Sequence, residues 1–462
     1  MGELIYASAT AQAREIRTGE VSSRELVQMH LKRIEAVNPK LNAVVQLAAE
    51  EALEAARRAD EDFAKGMIRG PLHGVPITVK DSMEAAGMTC TSGTLGRSKF
   101  VSTADATAVI RLRGAGAIPL GKTNLPDLLF AFESDNLIYG RTNNPYDLSR
   151  TAGGSSGGEA AAIAAGESPL GVGSDAAGSI RLPSHFCGIA GIKPTSGRLA
   201  RTGHFPPPGG LFDALWQIGP MARFVEDLIL AMPILSGADW VDPAVVPMPW
   251  RDPNAVDLRG LRAAFYTDNG ILPATPETVA AVEKAAASLA HSGVRIEEAR
   301  PAGIEQTYEL ALGLFGADAG ACLRELLQAC GSQQAHPLLE RFLSILGQRP
   351  LAAPEFGRLL IRVDRFRSAM LSFLEKHDLL LCPVCADAAM PHGTTFDHLE
   401  AFTYTMSFNL TGWPAVVVRC GTSACGLPLG VQIAGRPWRE DVALAVARKL
   451  EADFGGWQRP PL

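Results

Sequence analysis

Apolar and polar positions along the 462-residue chain change period several times, and each change predicts an element. Near the start, Ser22-Ser23-Arg24-Glu25 has the form of a capping box, in which a hydroxyl and a carboxylate three residues apart satisfy each other's backbone N–H groups. Leu26, Met29, Ile34 and Val37 follow, and Asn38-Pro39 is expected to stop that helix. An Ala/Glu-rich stretch over 43–65 predicts a second helix. Val75-Pro76-Ile77-Thr78-Val79 then reads as a short β-branched strand that delivers Lys80 at or near its end. A helix from about Thr103 leads through Gly114 and Gly116 into a strand, Ala117 to Leu120. From 140 to 200 the chain is dense in Gly, Ser and Ala, with tight turns around an Ala-rich helix, Ala160 to Ala165, the texture of backbone that must approach a ligand. Residues 230–375 read as helical, for example Cys322 to Gln328 and Leu359 to Glu375. The end returns to short strands (Leu379 to Leu381, Ala415 to Val418, Gly430 to Ile433) and a last helix, Asp441 to Leu450.

Alternating helices and strands predict an α/β fold with helices on both faces of a sheet. The organisation expected is a single domain over 1–462, with about 230–375 as a helical insertion or lid layer within it. Hydrophobic residues at 47% and charged residues at 20% are those of an ordinary globular chain. The net charge of −6 offers no clustered cations for a polyanion, so nucleic acid is not an expected partner. No apolar run reaches the roughly 18 residues a membrane span needs. The opening residues lack a basic segment followed by an apolar one, and the expected location is the cytoplasm. Eight cysteines are too sparse for a disulfide scaffold. Cys382 and Cys385 have redox or half-zinc spacing without a second pair, and with Cys420 and Cys425 they are expected to be packing residues. Neither a metal nor an organic cofactor is expected.

Two motifs match well-known patterns and fail on context. Gly116 to Thr123 spells a phosphate-binding loop, but such a loop follows a strand and opens a helix, and here the apolar strand lies inside the motif. Gly153-Gly154-Ser155-Ser156-Gly157 spells a nucleophile elbow, but the preceding Asn143 to Arg150 is turn chemistry where a strand is required. What remains is more specific: two serines on separate tight loops and a lysine ending a strand.

These residues resemble a family. Gly153 to Gly158, Ser174-Asp175, Gly178-Ser179-Ile180-Arg181, Cys187-Gly188 and Lys193-Pro194-Thr195 are similar to the long signature of the amidase-signature hydrolases. Gly74 to Asp81 resembles the family's lysine strand, and Asn409 to Ala415 with Gly426 to Gln432 resembles its C-terminal blocks. The stretch Asn124 to Asn143 is similar to the members that include fatty-acid amide hydrolases, and bacterial amidases and urethanases are near in motif too. The resemblance implies a mixed central sheet flanked by helices, with Lys80 as base, Ser155 as the serine after a cis peptide bond and Ser179 as nucleophile.

The chemistry explains why such residues are needed. A serine hydroxyl is a weak nucleophile without a base. Lysine can serve only when neutral, so burial must bring it far down from about 10.4. Ser155 would relay the proton from Ser179 to Lys80 and return it to the leaving nitrogen. Backbone N–H groups of Ala176, Ala177, Gly178 and Ser179 are the expected oxyanion hole, and Leu129, Gly154 and Ser155 the expected substrate contacts. Asp175 and Arg181 are expected to form an ion pair that holds the loop, and His73 and His185 to be structural. Family members usually carry Gly-Gly before the nucleophile where this chain has Ala177-Gly178. An allowed φ at Ala177 and a slightly narrowed site are expected.

The activity implied is hydrolysis of a C–N acyl bond in a small to medium, apolar acyl or aryl amide through an acyl-enzyme. A carbamate or ester hydrolase using the same residues is the near alternative. A glutamine amidotransferase subunit of a tRNA-dependent complex is the alternative from another class. A binding module without catalysis is disfavoured because all three implied positions are filled. The expected partner is a small-molecule amide or carbamate, with a homodimer left open.

Overall fold

The computed structural model describes residues 3–347 and 349–462. Its frame is one mixed sheet of eleven strands. In chain order these are β1 (Val44–Leu47), β2 (Pro76–Lys80), β3 (Ile118–Thr123), β4 (Leu170–Asp175), β5 (Ala190–Lys193), β6 (Gln217–Ala222), β7 (Arg262–Phe265), β8 (Arg295–Glu298), β9 (Leu379–Pro383), β10 (Ala415–Thr422) and β11 (Pro428–Gly435). They lie side by side as β1-β3-β2-β4-β6-β5-β10-β11-β9-β7-β8. Strand β2 runs parallel to both β3 and β4, and β7 runs parallel to β8 and β9. The other pairings are antiparallel. Every residue of β2, β4, β6, β9 and β11 is buried, because helices cover the sheet.

Several elements follow the expected pattern with longer bounds. The capping box forms: Ser22 Oγ accepts from the Glu25 N–H at 3.1 Å, and the Glu25 carboxylate accepts from the Ser22 N–H at 2.9 Å. Its helix, Ser23–Leu41, continues past the expected stop, since Pro39 falls in the last turn and forfeits only one backbone bond. Asn42, in the left-handed region at φ 53°, ends it.

Residues 43–47 are not helical, contrary to expectation. The Asn38 side chain accepts from the N–H groups of Ala43 and Val44, and this holds the chain extended against β3. The second helix is therefore shorter, Ala49–Ala64. The helix expected from Thr103 begins at Thr107. The stretch 230–375 is not wholly helical either: β7 and β8 lie within it and extend the sheet. Both are four-residue strands, too short to register against the surrounding helical pattern.

Strand β3 runs through Gly121-Lys122-Thr123, so the phosphate-loop look-alike is largely strand. Lys122 is buried, donates to the Met83 carbonyl and lies 3.8 Å from Asp81. Cys382, Cys385 and Cys420 are buried as expected, but Cys425 is exposed on the turn between β10 and β11.

Candidate active site

Parallel neighbours put their carboxyl ends on the same edge, where ligands bind in sheets of this kind. Here β2 ends at Lys80, β4 at Ser174-Asp175 and β3 at Thr123. The helix Gly157–Ala165 packs against β2 and β4 and carries the 153–156 loop to that edge. Glu159 of this helix accepts from the Thr78 and Thr123 hydroxyls, tying helix, β2 and β3 together. Burial pushes its carboxyl up to about 7.

Lys80 is fully buried and its side-chain nitrogen touches hydroxyls, not carboxylates. Nζ lies 2.7 Å from Ser155 Oγ, 2.9 Å from Ser156 Oγ and 3.1 Å from Ser174 Oγ. Burial drives its pKa well below 10.5, against the opposing charges of Asp175 and Glu159. The peptide bond between Gly154 and Ser155 is cis. Ser179 follows β4 on the loop that enters the helix Arg181–Phe186, and its carbonyl accepts from the Ser156 N–H at 3.2 Å. Ser155, Ser174 and Ser179 all open onto one cavity, of which Ser179 has the largest exposed fraction, 8% against 1% for Ser155.

The loop ahead of Ser179 is held from below. Asp175 and Arg181 form a fully buried pair at 2.9 Å. Arg181 also donates to the Thr405 carbonyl, Gln432 Oε1 and Asn409 Oδ1. Burial alone would raise the Asp175 carboxyl, but Arg181 holds it below the usual carboxylate range. Asp175 Oδ1 accepts from the Gly178 N–H at 2.8 Å, and Oδ2 from the Ile180 N–H at 3.1 Å. That gives the Gly178 N–H a protein acceptor. Among the described residues no protein acceptor meets the amides of Ala176, Ala177 and Ser179. Gly178 takes φ 118° while Ala177 stays out of the positive-φ region, so the alanine is accommodated without left-handed backbone.

The cavity, about 400 Å³, is lined mainly by apolar side chains. Leu129 is among them. Gly154 is not: it sits behind the surface, where a Cβ would run into the Ala131 carbonyl and the Glu133 N–H. Four rings not expected from sequence cluster in the cavity wall. Phe130 stacks on Phe342 at 5.3 Å and meets Phe212 at 5.6 Å, and Phe212 meets Phe315 at 5.2 Å between centroids. They come from distant segments, and only the sheet order brings them together.

Other residues escaped the sequence reading. Ser156 and Ser174 lie inside the signature but have no pattern separating them from turn serines. His204 lies 3.0 Å from Ser174 Oγ through Nε2 and carries no motif at all. His73 and His185, by contrast, face backbone: His73 the Ala59 carbonyl, His185 the Gly430 N–H and the Asp387 carbonyl. Among the described residues no three His, Cys, Asp or Glu side chains converge as a metal site, and no helix is long and apolar enough to cross a membrane.

A mixed sheet with a buried lysine and clustered serines lining an apolar cavity is the arrangement of a serine hydrolase. The comparisons make the class specific. The Amidase family model matches residues 25–444, and the chain belongs to that family, the amidase-signature enzymes. It is 35% identical to fatty-acid amide hydrolase 2-A of Danio rerio, covering 99% of this chain and 90% of that one. It is 34% identical to a glutamyl-tRNA(Gln) amidotransferase subunit from Chloroflexus aggregans, covering 96% of each. A solved 6-aminohexanoate cyclic dimer hydrolase in complex with substrate superposes with a TM-score of 0.87 at 30% identity, covering 99% of both chains. The protein is accordingly an amidase-signature hydrolase acting on amides.

Proposed function

We propose that Ser179 is the nucleophile of a Ser179–Ser155–Lys80 relay that cleaves small to medium amides with an apolar acyl or aryl group. The observation that carries this reading is the contact of a fully buried lysine with Ser155 at 2.7 Å, beside a cavity onto which Ser179 opens. Neutral Lys80 takes the Ser155 proton as Ser155 takes that of Ser179, and the freed Ser179 Oγ bonds to the carbonyl carbon. The oxyanion so formed is received by the amides of Ala176, Ala177 and Ser179. On collapse the C–N bond breaks, the proton returns through Ser155 to the leaving nitrogen, and an acyl-Ser179 ester remains. Water, deprotonated by the same route, releases the acid and restores Ser179. The helices Thr307–Phe315, Ala321–Cys330 and Pro337–Ile345, which contribute Phe315, Leu323 and Phe342 to the cavity wall, act as its lid.

The apolar wall favours this substrate class over glutamine. Glutamine carries an ammonium and a carboxylate that need charged partners, and Asp175, the acidic lining residue, is already paired with Arg181. Carbamates and esters fit the same chemistry.

The test is a panel of an aryl amide, an aryl carbamate, an ester and glutamine, assayed with the wild type and Ser179→Ala. The aryl amide or carbamate is expected to lead, and Ser179→Ala to lose roughly 10³-fold or more in kcat. Retention of most activity by the variant removes Ser179 as nucleophile. Glutamine as the leading substrate favours the amidotransferase reading.

A further inference from the structure

Hydrogen-bond polarity around Lys80 can be followed outward until it is fixed. His204 is buried, reaching the Pro206 carbonyl through Nδ1 at 3.0 Å and Ser174 Oγ through Nε2 at 3.0 Å. A carbonyl only accepts, so the ring hydrogen sits on Nδ1 and Nε2 is a bare acceptor. The Ser174 hydroxyl must donate to it, and the Ser174 oxygen is then left to accept from Lys80 Nζ. Ser156 is polarised the same way through a longer bond, its hydroxyl donating to the Ser174 carbonyl at 3.4 Å. A neutral lysine has two N–H bonds and one lone pair. With both N–H bonds directed to Ser156 and Ser174, the lone pair faces Ser155.

We infer that His204 is a positioning residue for the proton relay: by accepting the Ser174 hydroxyl hydrogen it orients the Lys80 lone pair toward Ser155. This rests on the relay proposed above. His204 bonds none of the three relay side chains and acts through Ser174. Its ring is steadied by Trp216, 4.6 Å away between centroids, and by the bridge between its backbone and Met83, which sits three residues beyond Lys80. Burial pushes its pKa down to about 3, with the Pro206 contact opposing, so it stays a neutral acceptor over the working pH range. If an apolar side chain replaced it, the Ser174 hydroxyl would be free to rotate and donate to Lys80, competing with Ser155 for the lone pair.

The test measures kcat and KM on an aryl amide for His204→Leu and His204→Gln, each made in the wild type and in Ser174→Ala. His204→Leu is expected to lower kcat about tenfold with KM within about twofold, a share of the roughly 10²–10⁴ that a positioned proton transfer contributes. His204→Gln, whose carboxamide oxygen can accept in the same place, is expected to recover most of the loss. In Ser174→Ala, His204→Leu should change kcat by no more than about twofold, since the group it acts through is gone. Full kcat in His204→Leu, a Gln variant as slow as the Leu variant, or the same tenfold loss without the Ser174 hydroxyl would each overturn the inference. If His204→Leu does not fold, Ser174→Ala must itself slow kcat and adding His204→Gln must leave that rate unchanged; either failure overturns it. Ser179→Ala and Lys80→Ala run alongside. Activity surviving in them would overturn the relay itself, whereas their inactivity beside an unaffected His204→Leu would overturn only the role of His204.

Discussion

Lys80 differs from the chain's other buried lysines in what it touches. Lys122 has Asp81 within 3.8 Å and donates to a carbonyl, and Lys193 donates to the carbonyl of Pro194. Lys80 meets three hydroxyls, partners that tolerate its neutral form. A base works only unprotonated, so kcat/KM should rise with pH through the Lys80 pKa, stay level above it, and fall away on acidification. Because burial lowers that pKa, the acid limb is expected well below 10.5. The check is a pH profile on an uncharged aryl amide. Glu159, pushed up to about 7 by burial, titrates nearby, so the limb should persist in Glu159→Gln. A limb near 10.5, or one that vanishes with Glu159, would remove Lys80 as the base. At this scale the sequence singled out Lys80, Ser155 and Ser179 because each sits in a contiguous run of unusual residues. It was silent on His204 and Ser174, whose roles come from contacts between segments thirty residues apart.

The loop from β4 into the helix Arg181–Phe186 concentrates the demands of an element that must be rigid without regular structure. Asp175 satisfies two of its N–H groups and Arg181 braces it against Thr405, Asn409 and Gln432. Gly178 supplies the one turn that an L side chain resists. At φ 118° a Cβ there would be strained and would meet the Thr405 hydroxyl, with Thr405 Cβ at 2.9 Å. Gly178→Ala is therefore expected to cost about 1–3 kcal/mol of stability. A loop displaced by about 1 Å should also lower kcat about 100-fold. Thermal unfolding beside kcat on one amide checks both, and a variant with wild-type kcat would show that the loop's geometry is not limiting. Elements were legible where capping or β-branching was strong, as at Ser22-Glu25 and β2. They were missed where a side chain outside the pattern bears on the outcome: Asn38 bonds the N–H groups of Ala43 and Val44 where the strand Val44–Leu47 begins. Short β7 and β8 are held by partners from across the chain, with β7 between β8 and β9.

Across the whole molecule, the alternation of helices and strands was enough to expect an α/β sheet, but not its order. The aromatic cluster of the cavity wall depends on that order. Phe130 follows β3, Phe212 precedes β6, and Phe315 and Phe342 come from helices between β8 and β9. No local period connects them. In the proposed mechanism the serines and lysine act on the bond being broken and the rings of the cavity wall hold the apolar group attached to it, so the two contributions to rate are separable. Removing one ring should thus weaken binding of substrates long or broad enough to reach it and leave the chemistry of short ones alone. Phe315→Ala is expected to raise KM for a bulky aryl or long-chain acyl amide about tenfold, the effect of roughly 1–2 kcal/mol of lost apolar contact. For an acetamide, whose acyl group ends in a single methyl, kcat/KM should stay within about twofold. Steady-state kinetics on an acyl series checks this. A uniform loss across the series would mean that Phe315 supports the fold around Ser179 and not the substrate, and a loss confined to the short members would place the acyl group elsewhere in the cavity.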